Sequence, residues 1–143
     1  MKVLVMIKGS GADEGKVAPT DEMFRVMNVY NEELVNAGIM LGGEGLQPSS
    51  AGVKLVFDGH ETSVVDGPFA EAKEIVAGYW IWQVSSLDEA VEWAKRCPTT
   101  EGMVSVLEIR PFFEMEDFEQ ALSPETVAKE KDLAARAEAQ QNS

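Results

Sequence analysis

Apolar and polar positions along this chain change period several times, and each change marks an element. Val3, Val5 and Ile7 alternate with Leu4 and Met6, so Lys2 to Lys8 is apolar on both sides and predicts a central, doubly covered strand. After a glycine-rich acidic loop, Gly9 to Pro19, Thr20 stands where a helix cap belongs, with Asp21 and Glu22 at the end that favours negative charge. Met23, Met27, Tyr30 and Leu34 then recur at helical spacing, and Gly38 sits where a helix commonly stops. A short strand at Ile39 to Leu41 runs into Gly42 to Pro48, whose glycines predict a turn. Val53 to Phe57 and Thr62 to Val65 read as strands joined by Asp58-Gly59-His60-Glu61, a strong hairpin signal. Val76 to Val84 is a further strand, with Tyr79, Ile81 and Gln83 on one face and Trp80, Trp82 and Val84 on the other. Ser86 caps a second helix, Leu87 to Cys97, in which Ala90, Val91 and Ala94 can face a sheet and which Pro98 ends. Met103 to Ile109 is the last strand, closed by Arg110-Pro111.

The order is strand, helix, strand, inserted hairpin, strand, helix, strand: an α+β, ferredoxin-like βαββαβ pattern. Two helices cover one face of such a sheet, yet Val3 to Ile7 and Val76 to Val84 are apolar on both. The uncovered face calls for a partner, and a second identical sheet packed face to face, a homodimer, is the simplest one. From Phe112 onward the composition shifts. Phe112, Phe113, Met115 and Phe118 can anchor a short helix, and Ser123-Pro124 starts a polar one in which Glu125 with Lys129 and Asp132 with Arg136 have the favourable spacing. We therefore divide the chain into a domain at 1–112 and a helical, partly disordered tail at 113–143.

Composition narrows the functional classes. With 143 residues the chain holds one domain with a real core, and no apolar run approaches the roughly 20 residues of a membrane span. The run after Lys2 stops at Lys8 without a cleavage site, so it reads as a strand and not as a signal peptide. A net charge of −13 opposes nucleic acid and anionic membranes. One cysteine, Cys97, leaves no internal disulfide and makes the cytoplasm the default location, and one cysteine plus one histidine supply too few ligands for zinc. No metal or dissociable cofactor is expected.

Chemistry is concentrated between Asp66 and Arg110. Asp66-Gly67-Pro68-Phe69 admits two readings: a corner in which Gly67 supplies unusual dihedrals and Phe69 plugs the core, or a turn that holds the Asp66 carboxylate at a cleft mouth as a general base or acceptor. Glu71, Lys73 and Glu74 form either a surface ion cluster or, through Lys73 and Glu74, contacts to a ligand. Glu108 and Arg110 share one face of the last strand, as an ion pair near the sheet edge or, for Arg110, a ligand clamp. Tyr79 with Trp80 and Trp82 can line an aromatic pocket or fill a core or interface. His60, the only histidine, belongs to a hairpin tip. Gly9 to Lys16 fails the phosphate-loop spacing, and Asp13 and Glu14 would repel phosphate.

Taken together, Gly43 to Pro48, Asp66 to Glu74, Gly78-Tyr79 and Glu108 to Pro111 resemble the YCII-related, or DGPF-domain, family over roughly residues 1 to 112. The resemblance implies a dimeric α+β barrel with a cleft bounded by the sheet and neighbouring loops. In a dehydrochlorinase-like branch of that family an aspartate pairs with a histidine of the first helix. Asp66 takes the aspartate role here, whereas the histidine position falls near Met27 and that helix carries no histidine. The resulting expectation is a homodimer binding a small organic molecule near Asp66. The alternatives are an acid–base enzyme of the lyase, isomerase or dehalogenase type using Asp66, and an interaction subunit, since similar genes often lie beside alternative sigma factors.

Overall fold

A computed structural model describes residues 1–99 and 104–143. Elements follow the order β1 (Lys2–Gly9), α1 (Asp21–Asn36), β2 (Met40–Gly45), β3 (Val53–Asp58), β4 (Glu61–Asp66), β5 (Ile75–Gln83), α2 (Leu87–Ala94), β6 (Val106–Pro111) and α3 (Pro124–Gln141). Among the described residues, β2-β5-β1-β6 form one antiparallel sheet and β3-β4 a separate two-stranded one. With the hairpin set aside, that strand order is the ferredoxin-like one, and the fold is α+β. The chain divides into two compact units, Met1–Phe112 and Phe113–Ser143.

In the first unit the core lies on one face of the sheet. Val3 pairs with Trp82 and Val5 with Trp80, so side chains from the two central strands project together toward the helices. Tyr30 and Leu34 of α1 and Ala90 of α2 complete the buried cluster with Ile39 and Val84. Thr20 Oγ1 accepts the Met23 N–H at 3.2 Å and Ser86 Oγ the Glu89 N–H at 3.1 Å, so both predicted caps are made. The Tyr30 hydroxyl donates to the Trp93 carbonyl at 2.7 Å, and Trp80 Nε1 donates to Asn31 Oδ1 at 2.9 Å, which ties α1 to α2 and to the sheet. Burial pushes the Tyr30 phenol far above its ordinary range, so it remains a donor. Trp82 is fully buried, and its Nε1–H has no acceptor among the described residues. On the opposite face Leu4 pairs with Ile81 and Met6 with Tyr79, all half-buried.

Three expected boundaries shift. Gly42 to Gly45 belong to β2 instead of a turn, because a side chain at Gly43 would sit 2.8 Å from Trp80 Cδ1, and glycine is what lets the edge strand lie against that indole. The second helix ends at Ala94, not Cys97: the N–H groups of Arg96 and Cys97 bond the carbonyls three residues back, tightening the last turn ahead of Pro98. The last strand starts at Val106 and includes Arg110 and Pro111, which an edge strand tolerates. Met103 lies outside the described residues.

The hairpin turns at Gly59-His60, with Gly59 at φ 61°, a conformation glycine adopts without strain. In the second unit, Met115–Phe118 is a single 3-10 turn, with the Phe113 and Phe118 rings 4.5 Å apart. Ser123 caps α3 and Asp132 meets Arg136 at 3.3 Å.

Candidate functional site

Three loops that are distant in sequence are tied together beside the sheet. In the first, Ser10 Oγ accepts the Asp13 N–H at 3.2 Å and donates to Asp13 Oδ2 at 2.7 Å. That bond, with Lys16 at 3.1 Å, holds the Asp13 carboxyl below the usual carboxylate range. The folded loop presents Glu14 to the second loop, a 3-10 turn at Ser49–Ala51. Glu14 Oε1 accepts the Ser49 N–H at 2.8 Å, and the Ser49 hydroxyl donates to Glu14 Oε2. The third loop is the Asp-Gly-Pro-Phe segment: the Phe69 N–H donates to Ser49 Oγ at 2.8 Å and the Gly67 N–H to the Gly52 carbonyl at 3.0 Å. The Gly11 N–H closes the ring on the Ala72 carbonyl at 2.8 Å. Ser49 is buried, and its hydroxyl both donates and accepts, so it is the knot of the three loops.

Glycine is required here for closeness and not for dihedral freedom. A Cβ on Gly67 would overlap the Ser49 carbonyl, and one on Gly11 would overlap the Phe69 carbonyl. Neither residue has a positive φ, and the unusual dihedral of the segment is the cis Gly67–Pro68 peptide bond, so what Gly67 itself supplies is room and not a left-handed conformation. Phe69 is half-buried and lies outside the core cluster, so it does not plug the core. It forms a wall of a cleft of about 560 Å³, together with Leu46, Pro48, Ser49, Ile75 and Val76. Lys54 of β3 reaches in from the hairpin, its Nζ 4.1 Å from the centre of the Phe69 ring. Gln47 and Glu74 complete the polar lining.

The sequence-derived candidates separate into groups. Glu74 lines the cleft. Its Oε2 meets Lys8 Nζ at 2.9 Å, Lys8 meets Glu108 Oε1 at 3.0 Å, and Glu108 Oε2 lies 3.6 Å from Arg110, so Glu74 and Arg110 terminate one ion-pair chain. The Lys8 side chain is only 13% exposed; hydrogen bonding to Glu74, then to Glu108, raises its pKa, and Lys8 in turn lowers that of Glu108. Tyr79 lies on the sheet face away from α1, between Met6 and Glu44. Asp66 is exposed at the end of β4 opposite Val53, and Lys73 is exposed in the loop that leads into β5; neither lines the cleft. His60 is exposed at the hairpin tip. Met27 borders a different cavity, about 400 Å³, with Cys97, whose thiol burial pushes up in pKa. Among the described residues no group of three or more His, Cys, Asp or Glu is placed to hold a metal ion, and no helix is long and apolar enough to cross a membrane.

Sequence reasoning missed Lys54, Ser49, Glu14 and Lys8. Lys54 interrupts an otherwise apolar run, Val53 to Phe57, which was the one available signal; the Glu14–Ser49 pairing spans 35 positions and left none.

A family model of the YCII-related domain matches residues 1–113. The chain belongs to the YCII-related family. An uncharacterised protein of Rhizobium meliloti (strain 1021) is 32% identical over 91 residues, which cover 64% of this chain and 73% of that protein. The YCII-related match contains the knotted loops, the cleft and the whole four-stranded sheet, and stops where the second unit begins.

Proposed function

We propose that this YCII-related chain binds a small organic acid, an apolar body carrying one anionic group, in the cleft beneath β3, and that it does so as a homodimer. The observation that carries the reading is the Lys54 ammonium poised 4.1 Å over Phe69 at the wall of a cleft of about 560 Å³. That volume falls within the ~300–1,000 Å³ of small-molecule sites, and mostly apolar walls with few polar groups are their usual lining. Leu46, Phe69, Ile75 and Val76 would take the apolar body. Lys54 would take the anion, because among the described residues its charge is the cleft cation not committed to a carboxylate, whereas Glu74 is held by Lys8. Arg110 and Lys8 then act on the ligand indirectly, by fixing Glu74. In this reading Asp66 and Lys73 stand outside the cleft and carry no chemistry. The second copy packs on the sheet face bearing Leu4, Met6, Tyr79 and Ile81, which α1 and α2 leave uncovered.

The test is calorimetric titration of a panel of aliphatic and aromatic carboxylates, and their amides, into wild type, Lys54→Met and Asp66→Asn. At least one carboxylate is expected to bind, to weaken about tenfold or more in Lys54→Met, corresponding to ~1.4 kcal/mol, and to be indifferent to Asp66→Asn. Equal affinity for acid and amide, or for wild type and Lys54→Met, refutes the assignment.

A further inference from the structure

The β3–β4 hairpin stands apart from the fold that carries it. Each strand pairs with the other, and among the described residues neither makes more than marginal contact with any other helix or strand of the first unit. A lone two-stranded hairpin is barely stable in water. Its two faces differ. Lys54, Val56 and Val65 share the side on which Lys54 turns toward Phe69. The other side presents Val53, Leu55 and Phe57 with Val64 directly opposite Leu55, a continuous apolar stripe. All four are exposed, Phe57 at 77%. Thr62 lies beside them, and the one charge on this side is Asp66 at the root.

We propose that the hairpin is an arm whose Val53-Leu55-Phe57-Val64 stripe docks on a second copy of this chain. Area selects the occupant. With its four side chains between 55% and 77% exposed, the stripe offers on the order of 450 Å², so two arms exchanged reciprocally, each matched by an equal receiving surface, would bury about 1,800 Å², within the range of stable specific interfaces. One arm inserted into an unrelated protein buries about half of that, below the ~1,200 Å² at which such interfaces begin. The chain's charge of −13 would oppose self-association, and a stripe whose only charge is Asp66 at its root is the kind of surface on which that repulsion is least felt. The arm also explains the knot. Gly67 bonds Gly52 across the hairpin base, and Phe69 bonds Ser49, so the root is clamped while the strands project. The inference rests on the dimer half of the proposed function, and adds to it a contact that the sheet faces do not make.

The test uses the full chain at micromolar concentration. Sedimentation velocity is run on wild type, on Leu55→Asp with Phe57→Asp, and on Met6→Asp, which alters the sheet face only. Wild type is expected to be a dimer, and the arm variant to dimerise about a hundredfold more weakly or not at all, with unchanged far-UV circular dichroism. Hydrogen exchange on wild type, which involves no altered fold, should show the amides of residues 53 to 66 slowed in the dimer and released on dilution. An arm variant that dimerises as tightly as wild type, or hairpin amides equally fast at all concentrations, overturns the arm. If Met6→Asp alone is monomeric, the face-to-face dimer stands and the arm falls. A monomeric wild type overturns both, and would assign the stripe to a different protein.

Discussion

Ser49→Ala is the most direct probe of how the Asp-Gly-Pro-Phe segment is held. The substitution deletes one oxygen that makes two bonds, donating to the Glu14 carboxylate and accepting the Phe69 N–H at 2.8 Å. A hydrogen bond to a charged group contributes about 1.5–3 kcal/mol, and an orphaned buried N–H costs about 1–3 kcal/mol. Some of the second cost is recovered where the cleft admits water. The expected loss is therefore about 2–4 kcal/mol, a large share of the ~5–15 kcal/mol that stabilises a domain. Glu14→Ala removes the acceptor for both the Ser49 N–H at 2.8 Å and its hydroxyl, and should cost about as much. The two changes share one bond, so the double variant should lose about 1–2 kcal/mol less than the sum of the singles. Urea unfolding followed by tryptophan emission and circular dichroism measures all three, and exchange of the Phe69 amide reports whether the knot opens locally before the domain unfolds. A Ser49→Ala cost under about 0.5 kcal/mol, or additivity of the pair within that margin, would refute the idea that one hydroxyl ties the loops.

Gly67→Ala places a Cβ onto the Ser49 carbonyl, and because backbone opposes backbone neither side can swing away. A loss of about 3 kcal/mol or more is expected in the same urea assay, with Gly45→Ala, where the space is open, as the mild comparison. The Lys8–Glu108 pair predicts a pH window. Glu108 has a lowered pKa in the folded chain, so its contribution is complete above its ordinary 4.5 and is lost as pH falls through the folded value. Lys8 has a raised pKa, so its contribution is complete below its ordinary 10.5 and is lost as pH rises through the folded value. The stability difference between wild type and Lys8→Met should therefore be constant from about pH 5 to 10 and shrink beyond both ends; a difference that does not change with pH would show that the pair is not felt.

The elements were legible wherever a local rule decides them. Thr20, Ser86 and Ser123 each cap the helix that follows because a short side-chain oxygen can reach an N–H three residues on, and all the chemistry needed is adjacent in sequence. The alternation of Trp80, Trp82 and Val84 against Tyr79, Ile81 and Gln83 likewise survives as buried against exposed or half-exposed. Gly42 to Gly45 were misread because glycine announces a turn unless one knows what lies across from it, and Trp80 is far along the chain. The site was less legible still. Glu74 reaches the cleft, but Lys54, Ser49 and Glu14 owe their roles to loop meetings that no spacing encodes, and the motif that named the family holds its own backbone in place before it offers a side chain to anything.

Trp82 gives the chain a built-in spectroscopic reporter. Its indole is wholly enclosed and its N–H meets no acceptor among the described residues, so its excited state is shielded from bulk solvent and should emit toward the blue. Trp80, bonded to Asn31, and Trp93, with Arg96 stacked 4.5 Å away, sit in more polar surroundings and should emit further to the red. The blue component thus belongs to the centre of the sheet, and its disappearance marks the moment the four strands part, whatever the hairpin and the loops have done before.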